Sequence, residues 1–138
     1  MPNINFLFYL KLYFLTTLVF LGIDAVWLTI ISKNFYAKHL GYLMSATPNL
    51  GVALLFYLIN VVGIVVLVVL PNLQGNNLGK VALLGALYGL VTYATYDLTN
   101  LATIKNWPVI VTIVDLIWGI SLSVAVSCLS FIIAKKIM

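Results

Sequence analysis

Four long apolar runs limit what this chain can become. A spanning helix needs about 20 mainly apolar residues. Such runs cover residues 6–31, 50–70, 80–104 and 107–133. Together they predict an all-α integral membrane protein: a four-transmembrane-helix up-down bundle in a single transmembrane domain over residues 1–138. The connections are “SKNFYAKHLGYLMSATPN”, “PNLQGNNLGK” and “KNWP”. The last is so short that the third and fourth runs form a tight antiparallel pair. Pro108 falls near the first helical position, where a missing N–H costs little.

Composition agrees. The 138 residues are 64% hydrophobic and 7% charged, with a mean hydropathy of +1.17. A soluble domain carries about 25% charged residues. The net charge of +4 comes entirely from seven lysines with no basic run. That suits membrane flanks and argues against nucleic acid as a partner. The expected surroundings are the lipid bilayer and, for any transport role, a homo-oligomer. The first run lacks a basic start and a small-x-small cleavage site, so it reads as a retained helix rather than a signal peptide. Cys128, the single cysteine, sits in an apolar run and reads as an inert packed thiol.

Lysines at the span ends set an orientation. Lys11, Lys80, Lys135 and Lys136 fall on the face of the N-terminus; Lys33, Lys38 and Lys105 fall on the other. This points to a multi-pass protein with both termini in the cytoplasm. In the first connection, Tyr36, Leu40, Leu43 and Met44 recur at helical spacing opposite Asn34, Lys38 and Gly41. They suggest a short interfacial helix between the first two spans; a plain loop dipping aromatic side chains into the headgroups is the simpler alternative. His39 reads as a loop residue.

The chain has only three acidic residues, and all three lie inside apolar runs. Asp24 stands seven residues before Ile31, Asp97 seven before Ile104, and Asp115 seven after Pro108. With alternating spans these three ends share one membrane face. At 1.5 Å per residue, each carboxyl lies roughly 10 Å in from that face. An intramembrane carboxylate is costly and marks a functional site by default, although a protonated aspartate can also serve as interhelical glue. No lysine lies in the layer, so at least one aspartate is expected to hold a proton near neutral pH, and the trio to titrate as a coupled set. A hard cation is the other escape, although no metal can be assigned from spacing.

Helical neighbours extend the candidate site. Gly85, Gly89, Tyr93 and Asp97 step by four along one stripe, and Asn100 shares the face of Asp97. The two glycines form a small-xxx-small pair for helix packing. Thr112, Asp115 and Gly119 share a face of the fourth span, with Trp118 one turn away. Tyr13, Thr17, Asp24 and Trp27 lie near one stripe of the first. Asn60 is the one strongly polar residue near the centre of the second, with Gly63 one turn on. Trp27 and Trp118 each follow an aspartate by three, a spacing that lets an indole N–H bond a carboxylate of its own helix. The ligand candidates are therefore Asp24, Asp97, Asp115, Asn100, Tyr93, Thr112, Trp27 and Trp118, with Gly85, Gly89 and Asn60 in packing roles. “DAVWL” and “DLTNL” at matching ends of spans one and three form a faint internal echo.

The stretches “LGIDAVWL”, “FYAKHLGYL”, “ALLFYLINVVG”, “YGLVTYATYDLTNLATIKNWP” and “TIVDLIWG” resemble a family of small bacterial membrane proteins, domain of unknown function 2177. The likeness runs from Leu21 to Gly119 and is most specific from Tyr93 to Pro108. It implies a four-helix bacterial inner-membrane protein and brings no activity, cofactor or catalytic residue with it.

Three functions fit these residues. The acidic pocket binds a proton, a small cation or a small cationic or lipid ligand, in a transport-related role. Alternatively, the chain is an accessory subunit whose polar layer fixes helix packing. As a third reading, it is a membrane enzyme using one aspartate as acid and another as base on a lipid-like substrate; no nucleophile motif, metal motif or phosphate loop supports it, and no cofactor is indicated.

Overall fold

The computed structural model describes residues 5–138, which contain helices and no strand. Helix α1 (Phe6–Val26) starts where Asn5 caps it, the Asn5 side chain accepting from the Phe8 amide at 3.0 Å. It ends in a π turn, Trp27–Ile31. Ser32 closes that turn by donating its hydroxyl to the Trp27 carbonyl at 2.9 Å. Helix α2 (Lys33–Leu40) follows. Helix α3 (Leu50–Gly63) is capped by Asn49 and continues as a π segment, Ile64–Val69, and a 3₁₀ turn, Leu70–Asn72. Helix α4 (Leu78–Thr103) is capped by Asn77, which accepts from the Lys80 amide at 2.9 Å. Helix α5 spans Val109–Ile137. Among the described residues, four stretches are long and apolar enough to cross a membrane: Phe6–Ile31, Leu50–Asn72, Leu78–Thr103 and Val109–Ile137.

The span ends differ slightly from the sequence expectation. The fourth begins at Val109, not Trp107, because Pro108 is extended (φ −75°, ψ 123°) and acts as the N-cap. It runs on to Ile137 because nothing after residue 133 breaks a helix, and Lys135 and Lys136 suit the negative end of its dipole. The amphipathic stripe of the first connection is corrected as well. A helix forms there, but it stops at Leu40, leaving Leu43 and Met44 exposed in the following turn, while Tyr36 turns into the bundle.

Packing is uneven along the bundle. Helix α5 lies at its centre, paired with α4 and flanked by α1. The apolar core gathers at one end: Phe8 and Leu12 of α1, Ile64, Val65, Val68 and Val69 of the α3 extension, and Leu122, Val126 and Phe131 of α5. Small residues bring α4 against α5. A Cβ added at Gly85 would lie 2.9 Å from the Ser127 hydroxyl, and one at Gly89 would strike the Gly119 carbonyl. The expected small-xxx-small pair thus meets a facing row of Gly119, Ser123 and Ser127. At the other end α3 and α4 have no extended contact. They meet through the π segment and through Tyr88, whose hydroxyl donates to the Asn60 carbonyl at 3.1 Å. The outer surface is rich in aliphatic side chains such as Leu83, Ile30 and Ile117, which suits lipid.

Candidate functional site

All three aspartates are buried at the loosely packed end. Asp97 has no exposed surface, and Asp24 and Asp115 have 6% and 8%. They divide into a satisfied carboxylate, Asp24, and a pair of which Asp115 has a donor in Tyr36 and Asp97 has none.

Asp24 is the satisfied one. The Tyr57 hydroxyl donates to its Oδ2 at 2.5 Å, and the Trp118 Nε1 donates to its Oδ1 at 3.2 Å. These bonds tie α1 to α3 and α5. Asp115 accepts from the Tyr36 hydroxyl, which itself accepts from Trp27 Nε1 at 3.3 Å. The indole rings of Trp27 and Trp118 stack with centroids 4.2 Å apart and planes 7° apart. The expected pairing of each tryptophan with the aspartate on its own helix is therefore replaced by a crossed arrangement. Trp118 of α5 serves Asp24 of α1, and Trp27 serves Asp115 of α5 through Tyr36.

Asp97 is different. Neither of its oxygens has a hydrogen-bond partner among the described residues. Asp97 and Asp115 line the same cavity of about 340 Å³, with Phe56, Asn60, Thr92, Tyr93 and Tyr96. The Asn60 amide oxygen is also buried without a donor. Tyr93 lines the cavity beside both aspartates and is held there by Gly119, where any side chain would run into its ring.

Other candidates are placed elsewhere. Thr112 is buried, and its hydroxyl accepts from Trp107 Nε1 at 3.0 Å, so it anchors the α4–α5 connection rather than a carboxylate. Asn100 is half-buried, faces Tyr96 and is not part of the cavity wall. In that same connection Asn106 adopts the left-handed φ of 62°, and its carbonyl accepts from Tyr42 at 2.8 Å, which joins the two loops at this end. Among the described residues no cluster of three or more His, Cys, Asp or Glu could hold a metal ion. The three aspartates do not form such a cluster, and both Asp24 oxygens already have donors.

The family model described as “Predicted membrane protein (DUF2177)” matches residues 9–132. The chain belongs to this family. No curated protein and no solved structure matches it. The matched region of this DUF2177 protein contains the three aspartates, the stacked tryptophans, and Tyr36 and Tyr57.

Tyr36 and Tyr57 join the site without a clear mark in the sequence. Tyr57 carries a faint signal: it precedes Asn60 by three and so shares its face. Tyr36 belongs to a stripe whose pattern suggests membrane anchoring. Burial and the Asp115 carboxyl together push its phenol far above the ordinary range, which keeps it a donor at every physiological pH. Tyr36→Phe should free α2 from the bundle and leave the four spans intact. Hydrogen exchange across residues 32–49 is expected to rise, with α4 and α5 unchanged. Equal exchange in the two proteins would show that the bond does not hold α2.

Proposed function

We propose that the Asp97–Asp115 pair is an intramembrane binding site that holds a proton and exchanges it for a small cationic ligand. The observation that carries this reading is Asp97: fully buried, on a cavity wall, and without a donor on either oxygen. A buried polar atom left unpartnered costs about 1–3 kcal/mol, more if charged. Two neighbouring carboxylates relieve that cost by sharing one proton. Asp115 already accepts from Tyr36, so Asp97 is the acid and Asp115 the base. A cation entering the cavity displaces the proton and supplies the missing donors.

Asp24 favours a second, structural role. With both oxygens occupied by donors from two other helices, it acts as a fastener between α1, α3 and α5. The family resemblance supports placement in a bacterial inner membrane, and the lysine distribution, four against three, supports both termini in the cytoplasm, so that the site lies toward the outer leaflet. Transport would require more than four helices and hence a homo-oligomer.

Dicyclohexylcarbodiimide, which is lipid-soluble and adds to protonated carboxyls, tests the reading. It should modify Asp97 and spare Asp24. Asp97→Asn should abolish modification, and methylammonium should protect the unmodified protein. Modification at Asp24 alone, or no protection by methylammonium, would sink the proposal.

A further inference from the structure

The cavity beside Asp97 does not end at its wall. A second hollow of about 410 Å³ shares Phe56, Asn60 and Thr92 with it and continues along Ile59, Tyr88, Val91 and Thr95. Together they fill the space where α3 and α4 separate. The outer rim is open to the surroundings of the bundle: Ile59 is 63% exposed and Val91 55%. In a chain that crosses the bilayer, this rim faces lipid tails.

The chemistry changes along the path. Near the rim the polar groups are already occupied. The Thr92 hydroxyl donates to the Tyr88 carbonyl at 2.9 Å, and the Thr95 hydroxyl to the Val91 carbonyl at 2.6 Å. Hydroxyls bonded to their own helix offer little to a ligand, so the outer wall is effectively apolar. The inner end has the opposite character. Both Asp97 oxygens and the Asn60 amide oxygen are buried acceptors without donors. The rings of Phe56, Tyr93 and Tyr96 surround them and offer faces that attract cations.

We infer that this passage admits an amphiphile with a primary ammonium head and an alkyl tail, laterally from the bilayer between α3 and α4. The inference rests on the reading of Asp97 and Asp115 as a ligand site. A primary ammonium carries three donors and no acceptor, which answers three orphaned oxygens. A carboxylate or phosphate head would meet like charge. An alcohol has a single donor and leaves two oxygens unpaired. The tail replaces lipid against Ile59 and Val91, so no water need enter.

A long-chain primary amine bearing a diazirine in its tail tests this on the full chain in lipid nanodiscs. Light should cross-link it to residues of the rim, including Ile59, Val91 and Thr95. Dodecylamine should displace it, and dodecanol and dodecanoate should not. Asp97→Asn should weaken labelling by about tenfold or more, the scale of lost charge-assisted bonds. Ile59→Trp, on the exposed rim where folding has little at stake, should block labelling by bulk. Displacement by dodecanol as effective as by dodecylamine would overturn the ammonium assignment. Labelling unaffected by both substitutions would overturn the passage. If methylammonium protects Asp97 from the carbodiimide and the alkylamine still fails to label the rim, the site stands and this inference falls. Failure of both sinks the two together.

Discussion

Replacing Gly89 by leucine is expected to pry α4 from α5 and destabilise the bundle by about 3 kcal/mol or more, the upper end for overpacking. The obstacle is backbone. A Cβ at Gly89 meets the Gly119 carbonyl and lies 2.8 Å from the Ser123 hydroxyl, and a carbonyl cannot rotate aside as a long side chain can. Alanine at the same position gains up to about 1 kcal/mol of helix propensity, yet its one carbon already strikes that carbonyl, so the net sign stays unfavourable. Gly22 is the control, because a Cβ there meets nothing within 4 Å, and Gly22→Leu should change stability by no more than about 0.5 kcal/mol. Unfolding in mixed micelles of rising dodecyl sulfate content, followed by circular dichroism, measures both. Equal midpoints for the two variants would mean that α4 and α5 do not approach as closely as described. The effect should also reach the site. Asp97 lies two turns beyond Gly89 on α4, and Asp115 one turn before Gly119 on α5. Spreading the helices separates the carboxyls, so Gly89→Leu should weaken methylammonium protection as well.

That link between packing and chemistry is partly legible in the amino-acid sequence. Hydropathy and length locate the spans because a bilayer imposes both. The shared depth of the aspartates follows from helix rise and alternating direction. The Asp97–Asp115 pair is nearly implied by the short connection between α4 and α5, since the two residues stand at equal distances from its ends. The partners of each carboxylate are not legible there, for a physical reason. Tryptophan and tyrosine carry their donors at the far end of long rigid side chains, so which acceptor they reach depends on helix rotation and the neighbouring helix. Trp118 shares a face with Asp115 and bonds Asp24 instead. Tyr36 belongs to a segment whose local pattern speaks of lipid, and its hydroxyl finds Asp115 seventy-nine residues away. Thr112 sits on the face of Asp115 yet serves Trp107, because the loop before α5 folds back over it. Periodicity assigns a residue to a face and leaves open which atom it will touch.

The fastener role of Asp24 predicts energetics that a binding role does not. Tyr57→Phe removes one donor from a buried carboxylate and should cost about 1.5–3 kcal/mol, the range for hydrogen bonds to charged groups. Trp118→Phe removes the other donor and shrinks the ring that stacks on Trp27, so its loss should be at least as large. The double variant should cost less than the sum. Once Asp24 has no donors it takes a proton, and that caps the penalty; the coupling should fall within about 0.5–3 kcal/mol. Adding Asp24→Leu to the double variant should then recover stability, since replacing a whole buried polar set by apolar groups is often neutral or better, whereas removing one partner is not. Throughout this series the carbodiimide reaction at Asp97 and its protection by methylammonium should persist. Asp24 is hydrogen-bonded neither to Asp97 nor to a residue of the cavity wall, so its loss leaves the acceptors that the ligand needs. If Asp24→Leu instead abolished that protection in a bundle of recovered stability, the carboxylate would be a member of the binding site, and the division into one fastener and one working pair would have to be abandoned.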